Sequence, residues 1–196
     1  GKMVFIRQQI PAGLGHAILC AKNVVGDEPF AVILADELLY HPKGFLKSMI
    51  ETYNSCGDNL LALFQVEKAN TKNYGIVSVE DENKPIVKIK DMIEKPVPEI
   101  APSNLAIVGR YILQPEIFEF LNKTKPGKSG EIQITDAMKE MMKTSHANFN
   151  GMIFKGERFD CGNYLGLLEA NIAYSLKDKR FSEQVKNILK EQIKKC

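Results

Sequence analysis

Phe30-Ala31-Val32-Ile33-Leu34, followed at once by Ala35-Asp36-Glu37, is the stretch on which the fold turns. Five apolar residues without alternation read as a strand covered on both faces. Upstream, Met3 to Ile6 is apolar and β-prone, which predicts a first strand ending near Gln8. Between them, Pro11-Ala12-Gly13-Leu14-Gly15 is a turn, and Ala17, Ile18, Ala21 and Val24-Val25 predict a helix to about Val25. Downstream, Phe45, Met49 and Ile50 predict a helix from His41-Pro42 to about Tyr53, and Leu60 to Val66 is another apolar strand. The order β-α-β-α-β implies parallel strands joined by right-handed crossovers.

Past Val66 the pattern changes. Tyr74 to Val79, Pro85 to Ile93 and Asn104 to Leu113 are strand-like, with Asp81-Glu82-Asn83-Lys84 as a hairpin turn. Helices are expected at Pro115 to Leu121, Ile132 to Met142 and Tyr164 to Leu176, with a strand from Asn148 to Phe154. Phe181 to Lys195 reads as a charged amphipathic helix. The expected organisation is one α/β body over 1–177 with a helical tail over 178–196.

Composition narrows the function classes. The 26 basic and 24 acidic side chains leave a net charge of +2, which argues against a nucleic-acid binder driven by a broad basic surface. No apolar run nears the roughly 20 residues needed to span a bilayer. The four cysteines, Cys20, Cys56, Cys161 and Cys196, are too sparse for a secreted disulfide scaffold and show no C-x-x-C pair. They read as reduced thiols of a cytoplasmic protein. The start at Gly1, close to a predicted strand and without a signal peptide's apolar core, is expected of a fragment or a tag scar.

Asp36 is the first candidate for chemistry. It follows an apolar strand, and ligands of open α/β sheets bind beyond the carboxyl ends of strands. A carboxylate there suits Mg²⁺ held against phosphate oxygens, or else a helix cap. Gln8, with the turn through Gly13 and Gly15, offers a donor and an acceptor beside free helix-start N–H groups, as a uracil edge requires; a packing turn is the plainer alternative. Glu94-Lys95-Pro96 closes a strand, and proline is expected to hold Lys95 extended. Glutamate suits sugar hydroxyls and lysine a phosphate, provided the chain bends so that both reach one ligand; an exposed ion pair is the alternative. Tyr74-Gly75 is a close-approach site or a strand-start glycine. In Phe159-Asp160-Cys161-Gly162-Asn163, Asp160 is a possible second metal carboxylate and Asn163 a helix cap, while Cys161 is structural for want of a base partner. Gly130-Glu131-Ile132-Gln133-Ile134-Thr135-Asp136 reads as a helix start with a structural role.

Together the strings RQQIPAGLGHA, VGDEPFAVILADE, NYGIV, IEKP, APSNLAIVGRYIL, GEIQITDA and FDCGN resemble the bacterial UTP–glucose-1-phosphate uridylyltransferases from Phe5 to about Lys177. The resemblance implies a Rossmann-like α/β nucleotidyltransferase core, with a mixed, mainly parallel sheet and flanking helices, truncated at its N-terminus. It implies Mg²⁺-dependent joining of UTP and glucose 1-phosphate into UDP-glucose and pyrophosphate. On this reading Gln8 and the Gly13 backbone contact uracil, Gly75 and Glu94 contact glucose, and Lys95 contacts its phosphate. Asp36 holds the metal, with Asp160 as second ligand, and Asp36 and Lys95 are the catalytic pair facing one cleft. The family's G-x-G-T-R loop, with the P-K motif that follows it, does not occur in these residues, so little or no turnover is expected of the chain alone. The alternative is a non-catalytic sugar-nucleotide-binding or assembly module. A homo-oligomer contact through the C-terminal helices is also implied, with neither nucleic-acid nor membrane partners.

Overall fold

The structure is a computed structural model and describes residues 2–127 and 130–195. Cys196 therefore lies outside the described residues; Cys20, Cys56 and Cys161 are free thiols. The chain forms two compact units, residues 1–33 with 43–155, and residues 34–42 with 156–196. These cuts fall at other places than the sequence boundary between 177 and 178.

The first unit begins without a strand. Residues 2–8 are irregular, although Met3 to Ile6 have the composition of a strand, and Met3 and Phe5 are 80% and 89% exposed. A strand exists only through ladder partners, and none of the described residues supplies one. The helix expected to Val25 is broken at Ala21 into α1 (Gly13–Cys20) and α2 (Lys22–Val25), closed by Gly26 at positive φ. β1 (Phe30–Ile33) follows; β2 (Glu37–Tyr40) belongs to the second unit, and α3 (Phe45–Cys56) and β3 (Asn59–Gln65) resume the first. β4 (Gly75–Val79), β5 (Ile86–Glu94) and β6 (Leu105–Leu113) come next. α4 (Ile117–Lys123), α5 (Ile134–Thr144) and β7 (Phe149–Ile153) complete the unit.

The six strands are ordered β1-β6-β3-β7-β5-β4, with β4 also touching β6. β6 inserts between β1 and β3 and runs antiparallel to both, so the two strands of the β-α-β-α-β reading point the same way without pairing. Only β3 and β7 pair in parallel; β5 runs antiparallel to β7 and β4. Four of the six strands thus share one direction, and the sheet is mixed as expected, but its ladders are mainly antiparallel. Pairing follows the long return of β6, which the order of elements alone does not specify.

Burial on both faces falls on β3 rather than β1. Asn59 through Leu63 are all buried, which alternating side chains allow only under cover on both sides. In β1, by contrast, Ala31 and Ile33 are exposed. Gly151 sits opposite Leu61 in the parallel ladder, where any side chain would collide with Leu63. The one buried asparagine of β3, Asn59, is satisfied: it donates to Asn148 O (3.1 Å) and accepts from the Gln114 N–H (2.9 Å).

The second unit holds β2 (Glu37–Tyr40) and β8 (Glu157–Asp160), paired antiparallel, with α6 (Tyr164–Lys177) and α7 (Ser182–Ile193). Neither short strand is legible as such, because four residues lie below the reach of periodicity. Tyr174 of α6 meets Tyr40 and Phe159 edge-on at 5.5 and 5.9 Å, which seats the helix on the ribbon. Asn163 caps α6 as expected, its Oδ1 accepting the Gly166 N–H at 2.9 Å. Gly166 has no room for a side chain, since a Cβ there would collide with the Asp160 carbonyl.

Candidate active site

Two groups of the sequence-derived residues lie in the first unit. In one, the turn before α1 is pressed against residues 131–132. Ile132 N–H donates to Ala12 O at 2.8 Å and Gly15 N–H donates to Ile132 O at 2.9 Å. A Cβ on Gly13 would stand 2.7 Å from the Glu131 Cβ, and one on Gly15 would stand 2.6 Å from Ile132 O. Gly13 also has φ +86°, a conformation only glycine adopts without strain. Both glycines are therefore required by the chain's own packing. Gln8 reaches back to this turn, its Nε2 donating to Gly13 O at 3.1 Å and standing 2.9 Å from His16 Nδ1.

The other group surrounds Gly75, at the end where β4 and β5 pair. Gly75 lies opposite Glu94 in the ladder. A Cβ built on it would meet Thr135 Oγ1 at 2.8 Å, Glu94 Oε2 at 3.2 Å and the Ile107 side chain at 3.3 Å. The glycine thus lets a carboxylate, a hydroxyl and an apolar side chain close directly onto its buried backbone. Its backbone is ordinary, so a side chain there is excluded by space alone.

Lys95 departs from the extended conformation expected before Pro96: its φ is +46°. Its N–H still donates to Tyr74 O at 2.9 Å, so the ladder continues through the bend. A non-glycine residue in this region stores about 1–2 kcal/mol. The turn brings consecutive side chains to one side, with Lys95 Nζ 3.5 Å from Glu94 Oε1. The bend that a shared ligand requires is present, at a residue whose side chain remains half exposed.

Asp36 and Asp160 both fall in the second unit. Asp36 follows β1 as expected but occupies a turn, and both carboxylates are exposed. They converge on Gly162, whose Cβ would stand 3.1 Å from Asp160 Oδ1 and 3.3 Å from Asp36 Oδ2. The backbone binds the two segments together: Cys161 N–H donates to Asp36 O at 2.7 Å, and Gly162 N–H to Asp160 Oδ1 at 3.0 Å. Nearby, Arg158, two residues before Asp160, grips Glu37, the residue after Asp36, through two 2.6 Å hydrogen bonds. Paired carboxylate oxygens with a glycine between them suit a hard divalent cation. Among the described residues no cluster of three or more His, Cys, Asp or Glu side chains forms a closed metal cage, so such an ion would take its remaining ligands from water or phosphate.

Sequence reasoning placed Gly75, Glu94 and Lys95 together, and Asp36 with Asp160. It missed Thr135, read only as part of a helix start, and the clamp of residues 131–132 on the Gly13 turn. A threonine inside the first turn of α5 that is 4% exposed had one visible signal, its place within GEIQITDA. Arg158 had none, because its partner lies 121 residues away.

The chain resembles known proteins throughout this region. The family model described as nucleotidyl transferase matches residues 1–176. A UTP–glucose-1-phosphate uridylyltransferase of Pseudomonas aeruginosa is 45% identical over 177 residues, 87% of this chain and 61% of the relative. UTP–glucose-1-phosphate uridylyltransferase 1 of Staphylococcus saprophyticus is 36% identical over 96% of this chain and 65% of its own length. A solved UDP-glucose pyrophosphorylase in complex with UDP-glucose superimposes with a TM-score of 0.83 at 45% identity, covering 89% of this chain and 66% of that one. A UTP-bound enzyme from Acinetobacter baumannii gives 0.85 at 36% identity, over 95% of this chain and 64% of that one. The chain thus spans somewhat under two thirds of the relatives it matches. A family match that takes in both glycine turns, the Glu94-Lys95 bend and the Asp36–Asp160 pair leaves one assignment: this chain belongs to the nucleotidyl transferase family.

Proposed function

We propose that these residues carry the sugar-phosphate side and part of the base-recognition side of a UTP–glucose-1-phosphate uridylyltransferase. The reading rests chiefly on the group at Gly75, where Glu94, Thr135 and Ile107 close on a glycine that has no room for a side chain and Lys95 Nζ stands 3.5 Å from Glu94 Oε1. Glu94 and the Gly75 backbone receive glucose hydroxyls, and the Lys95 ammonium lies against the sugar phosphate. Gln8 and the Gly13 turn receive uracil. A phosphate oxygen of glucose 1-phosphate attacks the α-phosphorus of UTP in line. The new P–O bond forms as the bridge to the β-phosphorus breaks, and pyrophosphate leaves with the electron pair. Lys95 offsets the repulsion between two anions and fixes the attacking oxygen, so catalysis rests on position and charge.

Asp36 and Asp160 are the residues that would hold Mg²⁺, whose chemistry is neutralisation of charge on phosphate oxygens. The domain is proposed to run over 1–177, with 178–196 a tail outside it; the family match over residues 1–176 supports this. A homo-oligomer contact along α6 is proposed from its exposed Tyr164 and Leu165, which are 78% and 73% accessible. Among the described residues no helix is long and apolar enough to cross a membrane; the proposed compartment is the cytoplasm.

The test is UDP-glucose binding by titration calorimetry together with pyrophosphate release from UTP, glucose 1-phosphate and Mg²⁺. Lys95→Ala and Glu94→Gln are expected to weaken UDP-glucose binding about tenfold or more, through lost charged hydrogen bonds. Turnover by the 196 residues alone is expected to be slight, since they contain no G-x-G-T-R loop. Unchanged binding in both variants would overturn the assignment of the sugar site.

A further inference from the structure

The Gln8 cluster carries information about hydrogen positions that its distances alone do not state. One atom of the Gln8 amide faces the Gly13 carbonyl oxygen at 3.1 Å and His16 Nδ1 at 2.9 Å. A backbone carbonyl oxygen can only accept, so the atom turned toward it must be the NH₂ group. That nitrogen has two hydrogens, one for Gly13 O and one for Nδ1. Nδ1 must then be a bare acceptor. An imidazolium has no bare nitrogen, so the ring is neutral here and its proton sits on Nε2. Nε2 points along α1 toward Cys20, whose Sγ lies 4.0 Å away and takes the role of a weak acceptor. Both hydrogens of the Gln8 amide are now committed. Its oxygen has no partner among the described residues, and the side chain is only half buried.

We propose that His16 is a positioning residue for base recognition. By accepting from the Gln8 amide it holds Oε1 outward as an acceptor-only group. The site then favours a pyrimidine that offers a ring N–H, as uracil does, over one that offers a bare ring nitrogen, as cytosine does. Without His16 the amide keeps only the Gly13 tether, and its outward face is less firmly set. The inference rests on the proposed contact between Gln8 and the base.

The first test is the ¹⁵N spectrum of the His16 ring in the wild-type protein. The proton is expected on Nε2; a proton on Nδ1 would overturn the proposal. The second is UDP and CDP affinity in wild type, His16→Leu and His16→Asn. Asparagine places an acceptor oxygen near the position of Nδ1, and leucine places none. His16→Leu is expected to lose about tenfold in UDP affinity with little change for CDP, and His16→Asn to recover most of the loss. An equal loss for UDP and CDP would mean that His16 merely supports the turn, and an unaltered UDP preference in His16→Leu would likewise overturn its role. A wild-type protein that shows no preference between UDP and CDP would instead defeat the placement of the base at Gln8, and the His16 role with it.

Discussion

The Gly75 group and the Asp36–Asp160 pair are built on opposite plans. Around Gly75 the shape is made by packing: Thr135 is 4% exposed, Glu94 faces the glycine across a ladder, and the bend at Lys95 is held by a backbone hydrogen bond. At Gly162 the two carboxylates are exposed, and what holds them is a short ribbon with backbone N–H groups tied to Asp36 and Asp160. On the proposed function the first group distinguishes one sugar from another, which needs walls that cannot move. A carboxylate that offers charge to a cation needs anchoring and an open face, since burying it unpaired would cost several kcal/mol. Alterations near Gly75 should therefore change recognition more than stability, and alterations near Gly162 the reverse.

The largest expected effect falls on the carboxylate ribbon. Arg158 and Glu37 are nearly buried, with side chains 9% and 13% exposed. Arg158→Ala leaves Glu37 without its strongest partner and should destabilise the second unit by about 3 kcal/mol, read by denaturant melts. A loss no greater than that of a surface pair would mean that the ribbon is held by α6 alone. Gly75→Ala comes next: the added methyl group would press on Thr135 Oγ1 and Glu94 Oε2 and displace that carboxylate, so UDP-glucose affinity should fall about tenfold to a hundredfold, with a smaller loss of stability than in Arg158→Ala. Calorimetry beside a thermal melt separates the two. If stability and affinity fall together, the contrast between the regions is lost.

Smaller effects sharpen the contrast. Asn163→Ala removes the cap of α6 and should lower stability by about 1 kcal/mol, by thermal or denaturant melts. The smallest concerns Asp91 on β5, three residues before Glu94. Burial pushes its carboxyl up, but the Lys139 ammonium and the Met92 backbone outweigh that and hold it below the ordinary 3.8. A depressed carboxyl contributes stability that is complete above its unfolded value and is lost as pH falls through its folded one. The first unit should therefore lose about 0.5 kcal/mol to this pair below pH 4, the pair being partly exposed, and Asp91→Asn should remove that part of the acid sensitivity.

Much of this was legible in the residues. The helix at Tyr164–Lys177, the hairpin at Asp81 and the strand through Leu60 are local patterns that lie where apolar spacing and turn chemistry put them, while α3 starts four residues after the expected His41 and ends three past Tyr53. Glu94, Lys95 and Gly75 were legible as a group because their strings carry a family resemblance. Other features were not. Met3 to Ile6 has a strand's composition but pairs with nothing described, and the strand covered on both faces is β3, not β1. Thr135 was hidden because a threonine at a helix start is ordinary until something packs against it.

The sequence by itself determined most of the helices and the longer strands, where glycines and prolines interrupt them, and that the chain belongs to the nucleotidyl transferase family. Those properties depend on neighbours within a few residues, or on strings long enough to be distinctive. Tertiary structure alone decided that β6 separates β1 from β3, that Lys95 turns left-handed beside Tyr74, that Thr135 closes on Gly75, and that the Gln8 amide meets both Gly13 O and His16 Nδ1. Each of these depends on a hydrogen bond or a close contact whose partner is set by packing, and a local pattern holds no record of where that partner will come to rest.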